Sequence, residues 1–367
     1  RAGVAGERTV TPSHKKAVSQ KQQAARFYPA GGATHANLQA PAGNPDYSTL
    51  SDDVRTYYRY FRNNSGLAKA TFTLTLYGDA NLIRRILRER KIDAVMIFTD
   101  PRYWIWLFEI EREIRSKIPI IWYNIWDDYP APLYNRDYYR SVDSLLAISK
   151  QTKNINEIVL DGYTEDKIIR YVPHGIDQNI FYPINPNDKE FIKFKKETLR
   201  NNNYKFIAFF NSRNIQRKHP HDLVLGYRMF CDKLGKEKAK ECALIMHTQV
   251  TDQHGTDLEA LKEALCDPTY VNLLFSQSRL TPQQLNCLYN MADVTVLPSS
   301  NEGWGLSLTE SMMAGTMIAA NVTGGMQDQM RFENDKGEWI DFDAEFPSNH
   351  RGTFKKHGEW AFPVYPT

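Results

Sequence analysis

Asp293-Val-Thr-Val-Leu-Pro298 runs through Ser299-Ser-Asn-Glu-Gly-Trp-Gly305 into Leu306-Ser-Leu-Thr-Glu-Ser-Met-Met-Ala314, and Met317-Ile-Ala-Ala320 follows. The first piece reads as a strand, the third as a helix and the last as a strand. The loop between strand and helix holds Glu302 and two glycines around Trp304. Strand, loop, helix and strand in this order form the unit of a parallel sheet.

The same rhythm extends upstream. Lys205-Phe-Ile-Ala-Phe-Phe210, Ala243-Leu-Ile-Met246 and Tyr270-Val-Asn-Leu-Leu-Phe275 read as strands. Helices are expected at 221–234, near 256–265, and from Pro282 to Ala292 with Thr281 as cap and Pro282 at its first position. A second series precedes it. Leu82, Ile83, Ile86 and Leu87 share a helical face, and Trp104, Leu107, Phe108 and Ile114 lie on a helix-like stretch. Strands follow at Ala94–Phe98, Pro119–Tyr123, Ser144–Ile148 and Ile168–Val172, with a helix near 151–161. The continuous apolar runs suit strands buried on both faces. Met317–Ala320 reads as the last strand. Two α/β units imply a ligand site in the cleft between them, beyond the carboxyl ends of the strands.

The 367 residues agree with about two domains at ~150 residues each. The expected division is a flexible basic extension over 1–45, an N-terminal α/β domain over 46–184, a C-terminal α/β domain over 185–330, and an irregular segment over 331–367. Residues 1–45 carry Arg1, Arg8, Lys15, Lys16, Lys21 and Arg26 against the single acid Glu7. No apolar stretch follows these charges as in a signal peptide. A whole-chain net charge of +3 is too small to imply a nucleic-acid partner. The 20 Tyr, 18 Phe and 7 Trp exclude a wholly disordered chain. No apolar run is long enough to span a membrane, so a soluble or peripheral cytoplasmic protein is expected. Cys231, Cys242, Cys266 and Cys287 show neither zinc nor redox spacing and fit a reducing compartment.

Four strand-end loops carry chemistry. In 299–310, free N–H groups at a helix start make an anion site, and Glu302 and Glu310 are suited to sugar hydroxyls; the bland alternative is that both merely complement the helix terminus. Asn211-Ser-Arg-Asn-Ile-Gln-Arg-Lys218 places Arg213, Arg217 and Lys218 on one loop, suited to a diphosphate, although basic loops are common. In Val172-Pro-His-Gly-Ile-Asp177, Gly175 permits close backbone approach and His174 is suited to donate to a phosphate or sugar; alone, this is a turn with a surface His. After the strand at 119–123, Asp127 and Asp128 could orient an acceptor hydroxyl or act as a base, or only cap a helix. Asp100 is a weaker candidate of the same kind. Asp341-Phe-Asp343 matches a metal-binding DxD pattern outside a strand-end context and is taken as chance. His247 is read as a core residue.

Together these loops resemble a retaining glycosyltransferase of the GT-B fold, close to glycosyltransferase family 4. The resemblance rests on Val172–Asp177 with Phe181 and Pro183, on Arg213 with Lys218, on Ala292-Asp293, and on Glu302-x7-Glu310 with Ala314-Gly315, in order over roughly 80–325. It implies two Rossmann-like domains facing across a cleft. Arg213 and Lys218 would bind the donor diphosphate, and Glu302 the donor sugar. The N–H groups around Gly303, Trp304, Gly305, Leu306 and Ser307 would hold sugar or phosphate, and Glu310 the ribose. His174 and Gly175 complete the donor-side set; Glu302, Arg213, Lys218 and Asp127 form the catalytic set. Neither metal nor cofactor is implied beyond the nucleotide-sugar donor; the leaving phosphate would help deprotonate a glycan, lipid or other hydroxyl acceptor on the same face. The sequence departs from the family where Trp126-Asp127 replaces a His-Asp, in lacking a recognisable N-terminal Gly-rich turn, and in terminal elements that read as incomplete. The alternatives are a catalytically silent nucleotide-sugar-binding module and a sugar-nucleotide epimerase. Peripheral membrane contact is compatible with this reading.

Overall fold

A computed structural model describes residues 77–341 and 352–365. The basic extension at 1–45, the double glycine of Ala30-Gly-Gly-Ala33 and Asp343 lie outside the described residues. The chain divides into two compact units, Arg1–Arg85 and Ile86–Thr367. Helix α1 (Ala80–Glu89) crosses that boundary, and Asp79 accepts from the N–H groups of Asn81 and Leu82 at its start.

The second unit contains two wholly parallel sheets. The first has four strands in chain order: β1 (Val95–Phe98), β2 (Ile120–Asn124), β3 (Ser144–Ala147) and β4 (Ile168–Tyr171). Helix α2 (Lys150–Leu160) joins β3 to β4. Ile97, Trp122, Leu145 and Ile169 form the buried face of this sheet. Its expected burial on both faces does not hold at β1, where Met96 is 59% exposed. β1 is an edge strand of the described sheet, with a neighbour on one side only.

The second sheet comprises β5 (Phe206–Asn211), β6 (Cys242–His247), β7 (Asn272–Ser276), β8 (Val294–Leu297), β9 (Met317–Asn321) and β10 (Ala361–Val364), in the order β10-β9-β8-β5-β6-β7. Between them run α3 (Lys189–Thr198, before β5), α4 (Pro220–Leu234), α5 (Leu258–Leu265), α6 (Pro282–Met291), α7 (Leu306–Met313) and α8 (Gly324–Met330). β5 shows why its sequence is unbroken by polar residues. Ile207 and Phe209 enter a core with Phe191, Leu288 and Tyr289, while Ala208 and Phe210 enter another with Val224, Leu244 and Leu308. Full burial of a Phe stabilises by roughly 1.5–3 kcal/mol. Thr281 and Gln284 form a reciprocal capping box at α6, with Pro282 in the first turn as expected.

The strand order of the second sheet reverses between β8 and β5, which are neighbours and were formed far apart in the chain. The loops after these two strands are the ones singled out for chemistry. One aspartate device recurs in both sheets. Asp293 Oδ2 accepts from the Ile207 N–H at 2.7 Å, and Asp143 Oδ2 accepts from the Ile120 N–H at 2.8 Å. Each Asp therefore ties the start of its own strand to the neighbouring strand, which gives Ala292-Asp293 a structural role.

One element differs from expectation. Met317–Ala320 belongs to β9 but is not the last strand: β10 pairs parallel with it from within the segment read as irregular. Helix α8 opens on Gly324-Gly325, residues of low helix propensity. All four cysteines are free thiols. Among the described residues, no helix is long and apolar enough to cross a membrane.

Candidate active site between two parallel sheets

The loop after β8 turns into α7 at Gly305, whose φ of +89° is strained for a residue with a Cβ. Glycine supplies no side-chain cap. The N–H groups of Gly305, Leu306 and Ser307 have no acceptor among the described residues, leaving the positive end of an eight-residue helix open to an anion. Trp304 is buried and packs with Tyr123 and Ile148 of the first sheet's side. Its carbonyl accepts from Gln329 Nε2 at 2.6 Å. Gly303 permits a close approach between the halves: a Cβ there would stand 3.1 Å from the Ile125 carbonyl oxygen.

Glu302 lies at the centre, 7% exposed. Its Oε1 pairs with Lys218 Nζ and accepts from Ser299 Oγ at 2.7 Å, and its Oε2 stands 3.4 Å from Arg217 Nη1. The same Arg217 nitrogen donates to the Asn301 carbonyl at 2.7 Å, and the Arg217 carbonyl accepts from the Ser300 N–H. The loops after β5 and β8 are thus tied by backbone and side chain. Burial alone would raise the Glu302 carboxyl, but Lys218 and Arg217 outweigh it and hold the group below its ordinary range. Burial also pulls the Lys218 ammonium down, against the opposing pull of Glu302.

Asp127 reaches this cluster from the loop after β2. Burial raises its carboxyl, Arg217 opposes that shift, and Glu302 adds to it, while Asn301 hydrogen-bonds the side chain. The first sheet's aspartate and the second sheet's glutamate therefore share one electrostatic environment. Asp128 supplies the carbonyl that accepts from Trp126 Nε1 at 3.0 Å.

Glu310 sits one turn into α7, away from the Lys218 pair. Its Oε2 accepts from the Tyr289 hydroxyl at 2.5 Å, and the Tyr289 oxygen accepts from Asn211 Nδ2 at 2.8 Å. Burial raises the Glu310 carboxyl, partly offset by the Tyr289 hydrogen bond. Oε1 remains available to accept.

The other expected residues are placed differently. Arg213 does not reach Glu302; it makes a two-pronged pair with Asp252, 2.8 Å from Nε to Oδ2 and 3.3 Å from Nη2 to Oδ1. Burial would raise Asp252, but Arg213 and the His254 N–H bring it below its ordinary range. His174 lies in the His-Gly turn and stacks on Tyr123, 5.5 Å between ring centroids. The Tyr123 hydroxyl donates to the Val172 carbonyl at 2.7 Å, so its 3.2 Å contact with His174 Nδ1 places the ring proton on Nδ1. Burial lowers the His174 pKa, favouring the neutral ring. His174 then offers Nε2 as an acceptor for a hydroxyl, rather than the donor expected from the sequence. Gly175 has open space where a Cβ would stand. Asp100 caps a short turn through the Arg102 N–H, and His247 bonds Ser276 Oγ through Nδ1 at 3.0 Å.

Two contributors escaped the sequence reading, and a third was named there without a rank. Arg217 was one of three loop cations with nothing to rank it; Tyr289 reads as a core aromatic; Gln151 reads as an ordinary helix residue. One further group, His219, His221 and Asp222, has its potential ligand atoms within 4.8 Å of one another. It stands at the positive N-terminus of α4 beside Arg217 and Lys218, which opposes a cation, and His219 Nδ1 is already engaged with Asp222 Oδ2 at 2.9 Å.

Comparison with known proteins extends the motif resemblance. Residues 191–345 match the family model described as Glycosyl transferases group 1. A 172-residue stretch is 27% identical to the D-inositol 3-phosphate glycosyltransferase of Corynebacterium jeikeium, covering 46% of this chain and 39% of that protein. The chain spans 39% of the length of the curated relatives it matches over long stretches. Among solved structures, Anabaena HepE in complex with UDP and glucose is similar with a TM-score of 0.50 and 15% identity, over 69% of this chain and 66% of that one. The α,α-trehalose-phosphate synthase (UDP-forming) of Burkholderia vietnamiensis has a TM-score of 0.54 at 11% identity, over 77% and 68% of the two chains. At these identities the likeness is one of fold: the two parallel sheets have the GT-B arrangement.

Proposed function

We propose that this chain is a retaining, metal-independent glycosyltransferase that moves a hexosyl group from a nucleoside-diphosphate sugar to a hydroxyl acceptor. The observation that carries this reading is the buried Lys218–Glu302 pair, flanked by Arg217 and Asp127, beside the open N-terminus of α7. Its support is the match to group 1 glycosyltransferases over the residues that hold Arg213, Lys218, Glu302 and Glu310.

Lys218 and Glu302 neutralise each other. An arriving diphosphate competes for Lys218, and the α7 N–H groups add donors to the same anion. Glu302 is then released to accept from donor-sugar hydroxyls, with Arg217 and Ser299 keeping it ionised and oriented. Transfer forms the bond from the acceptor oxygen to the anomeric carbon and breaks the bond from that carbon to the diphosphate oxygen. The leaving diphosphate takes the electron pair, Lys218 stabilises the developing charge, and the acceptor proton passes to a phosphate oxygen on the same face. Asp127 orients the acceptor hydroxyl. His174 Nε2 accepts from a sugar hydroxyl. Arg213 serves the diphosphate by exchanging Asp252 for phosphate.

The Anabaena protein is held with UDP and glucose, and the Burkholderia enzyme is UDP-forming, so UDP is the first nucleotide to test. Calorimetric titration with UDP, GDP and ADP, each with and without EDTA, is expected to give saturable, EDTA-insensitive binding of one of them. Absence of binding to all three overturns the reading.

The ribose assignment has its own test. Tyr289 fixes one oxygen of Glu310 and leaves the other to the ribose hydroxyls. Tyr289→Phe is expected to weaken binding of the preferred nucleotide about tenfold, as for loss of a hydrogen bond to a charged group. The loss should vanish for the corresponding 2′,3′-dideoxynucleotide. An equal loss with both nucleotides would place Tyr289 outside ribose recognition.

A further inference from the structure

Asp127 and Glu302 belong to different sheets, so something must set their spacing. Gln151, 1% exposed in the first turn of α2, lies between their loops. Its Nε2 donates to the Asp127 carbonyl at 3.0 Å. Its Oε1 accepts from the Gly324 N–H at 3.0 Å. The next residue, Gly325, donates its N–H to the Glu302 carbonyl at 3.0 Å. One side-chain amide thus links the acceptor-side loop, through the start of α8, to the donor-side loop.

The surroundings make this link stiff. A Cβ on Gly324 would stand 2.2 Å from the Glu302 carbonyl oxygen, and one on Gly325 2.3 Å from that of Gly303. The two glycines therefore let α8 lie directly on the Glu302 loop. On the other side, Thr152 Oγ1 donates to the Trp126 carbonyl at 2.8 Å, fixing the residue before Asp127. The Lys150 N–H donates to Asp328 Oδ2 at 2.8 Å, docking α2 onto α8 a second time. The amide presents a donor at one end and an acceptor at the other; an ionised carboxylate of the same shape has no donor for the Asp127 carbonyl.

We propose that Gln151 is a positioning residue that sets the separation of Asp127 and Glu302, holding the acceptor-side and donor-side loops in one reactive geometry. This rests on the roles given to those two carboxylates in the proposed function.

The test uses the full chain with Gln151→Met, which keeps the shape but neither hydrogen bond, and Gln151→Glu. Spin labels on cysteines introduced at the exposed positions Glu165 and Lys238, with Cys287 replaced by Ser, report the distance between the halves without needing activity. Release of UDP from UDP-glucose and affinity for UDP are measured alongside. The parent is expected to give one narrow distance distribution and Gln151→Met a broadened one. Turnover should fall about a hundredfold, as a misplacement near 1 Å can cause, with UDP affinity within twofold. Gln151→Glu should behave like Gln151→Met at pH 8 and recover distance and turnover near pH 5, where a protonated carboxyl again has both a donor and an acceptor. An unchanged distance distribution in Gln151→Met overturns the proposal, as does an equal loss of UDP affinity and turnover, or a Gln151→Glu variant indifferent to pH. If the parent neither binds UDP nor turns over UDP-glucose, the UDP-based reading has failed, and the distance measurement still decides whether Gln151 sets the separation.

Discussion

Glu302→Gln is expected to lower transfer by about 10²–10³-fold while leaving affinity for the free nucleotide within a few-fold of the parent. The substitution keeps the shape of a residue that is 7% exposed, so packing is preserved. It removes the charge that Lys218 and Arg217 face and that, in the proposed mechanism, accepts from the donor-sugar hydroxyls. A lost electrostatic contact in a water-poor site carries an effect of this size. In the proposed mechanism the nucleotide makes no contact with Glu302, and Lys218 is freed to meet the diphosphate. Parallel measurement of UDP release from UDP-glucose and calorimetric UDP affinity separates the two quantities. Turnover within twofold of the parent would remove Glu302 from the mechanism.

Lys218→Ala should act in the opposite order, striking binding first. In the proposed mechanism the variant loses the buried ammonium that meets the diphosphate, and it leaves Glu302 with Arg217 as the cation beside it, at 3.4 Å. Repulsion between Glu302 and an incoming diphosphate is then poorly screened at a buried position. Nucleoside-diphosphate affinity is expected to fall at least about a hundredfold, in line with truncation of one member of a buried charge pair. The nucleoside without phosphates should bind as weakly to the variant as to the parent. Lys218→Arg, which keeps the charge but not the compact point geometry, should recover only part of the loss. Parent-like diphosphate affinity in Lys218→Ala would show that the phosphates bind elsewhere.

The strands were legible where burial made their sequences continuous. β5, β6 and β8 begin and end within a residue or two of the apolar runs that announced them. β10 was not legible because Ala361-Phe-Pro-Val364 contains a proline and follows a polar stretch. At the sheet edge, paired with β9 alone, a proline is tolerated that a central strand would reject. Helix α8 was hidden by its own glycines, whose reason is tertiary: the Glu302 loop occupies the space their side chains would need.

The site was legible residue by residue but not pair by pair. Spacing singled out Glu302, Lys218 and Asp127, and the fold brings them together. It also singled out Arg213, which the fold gives to Asp252, and it did not rank Arg217, which lies one residue from Lys218 and contacts Glu302, above Arg213. Within a short basic loop, which cation faces inward is decided by the turn at Gln216–Lys218, a feature without a strong sequence signal. Tyr289 and Gln151 carry no signal at all, because a buried aromatic and a helical amide are ordinary until their partners are known.

The central claim is a diphosphate site built from side chains and helix N–H groups, with Lys218 at its centre and no metal required. Calorimetric titration of UDP, GDP and ADP into the parent and Lys218→Ala, with and without EDTA, tests it most directly. The account predicts saturable binding of one nucleotide to the parent, unchanged by EDTA and lost in Lys218→Ala. Binding that EDTA abolishes, or that survives in Lys218→Ala, would contradict it.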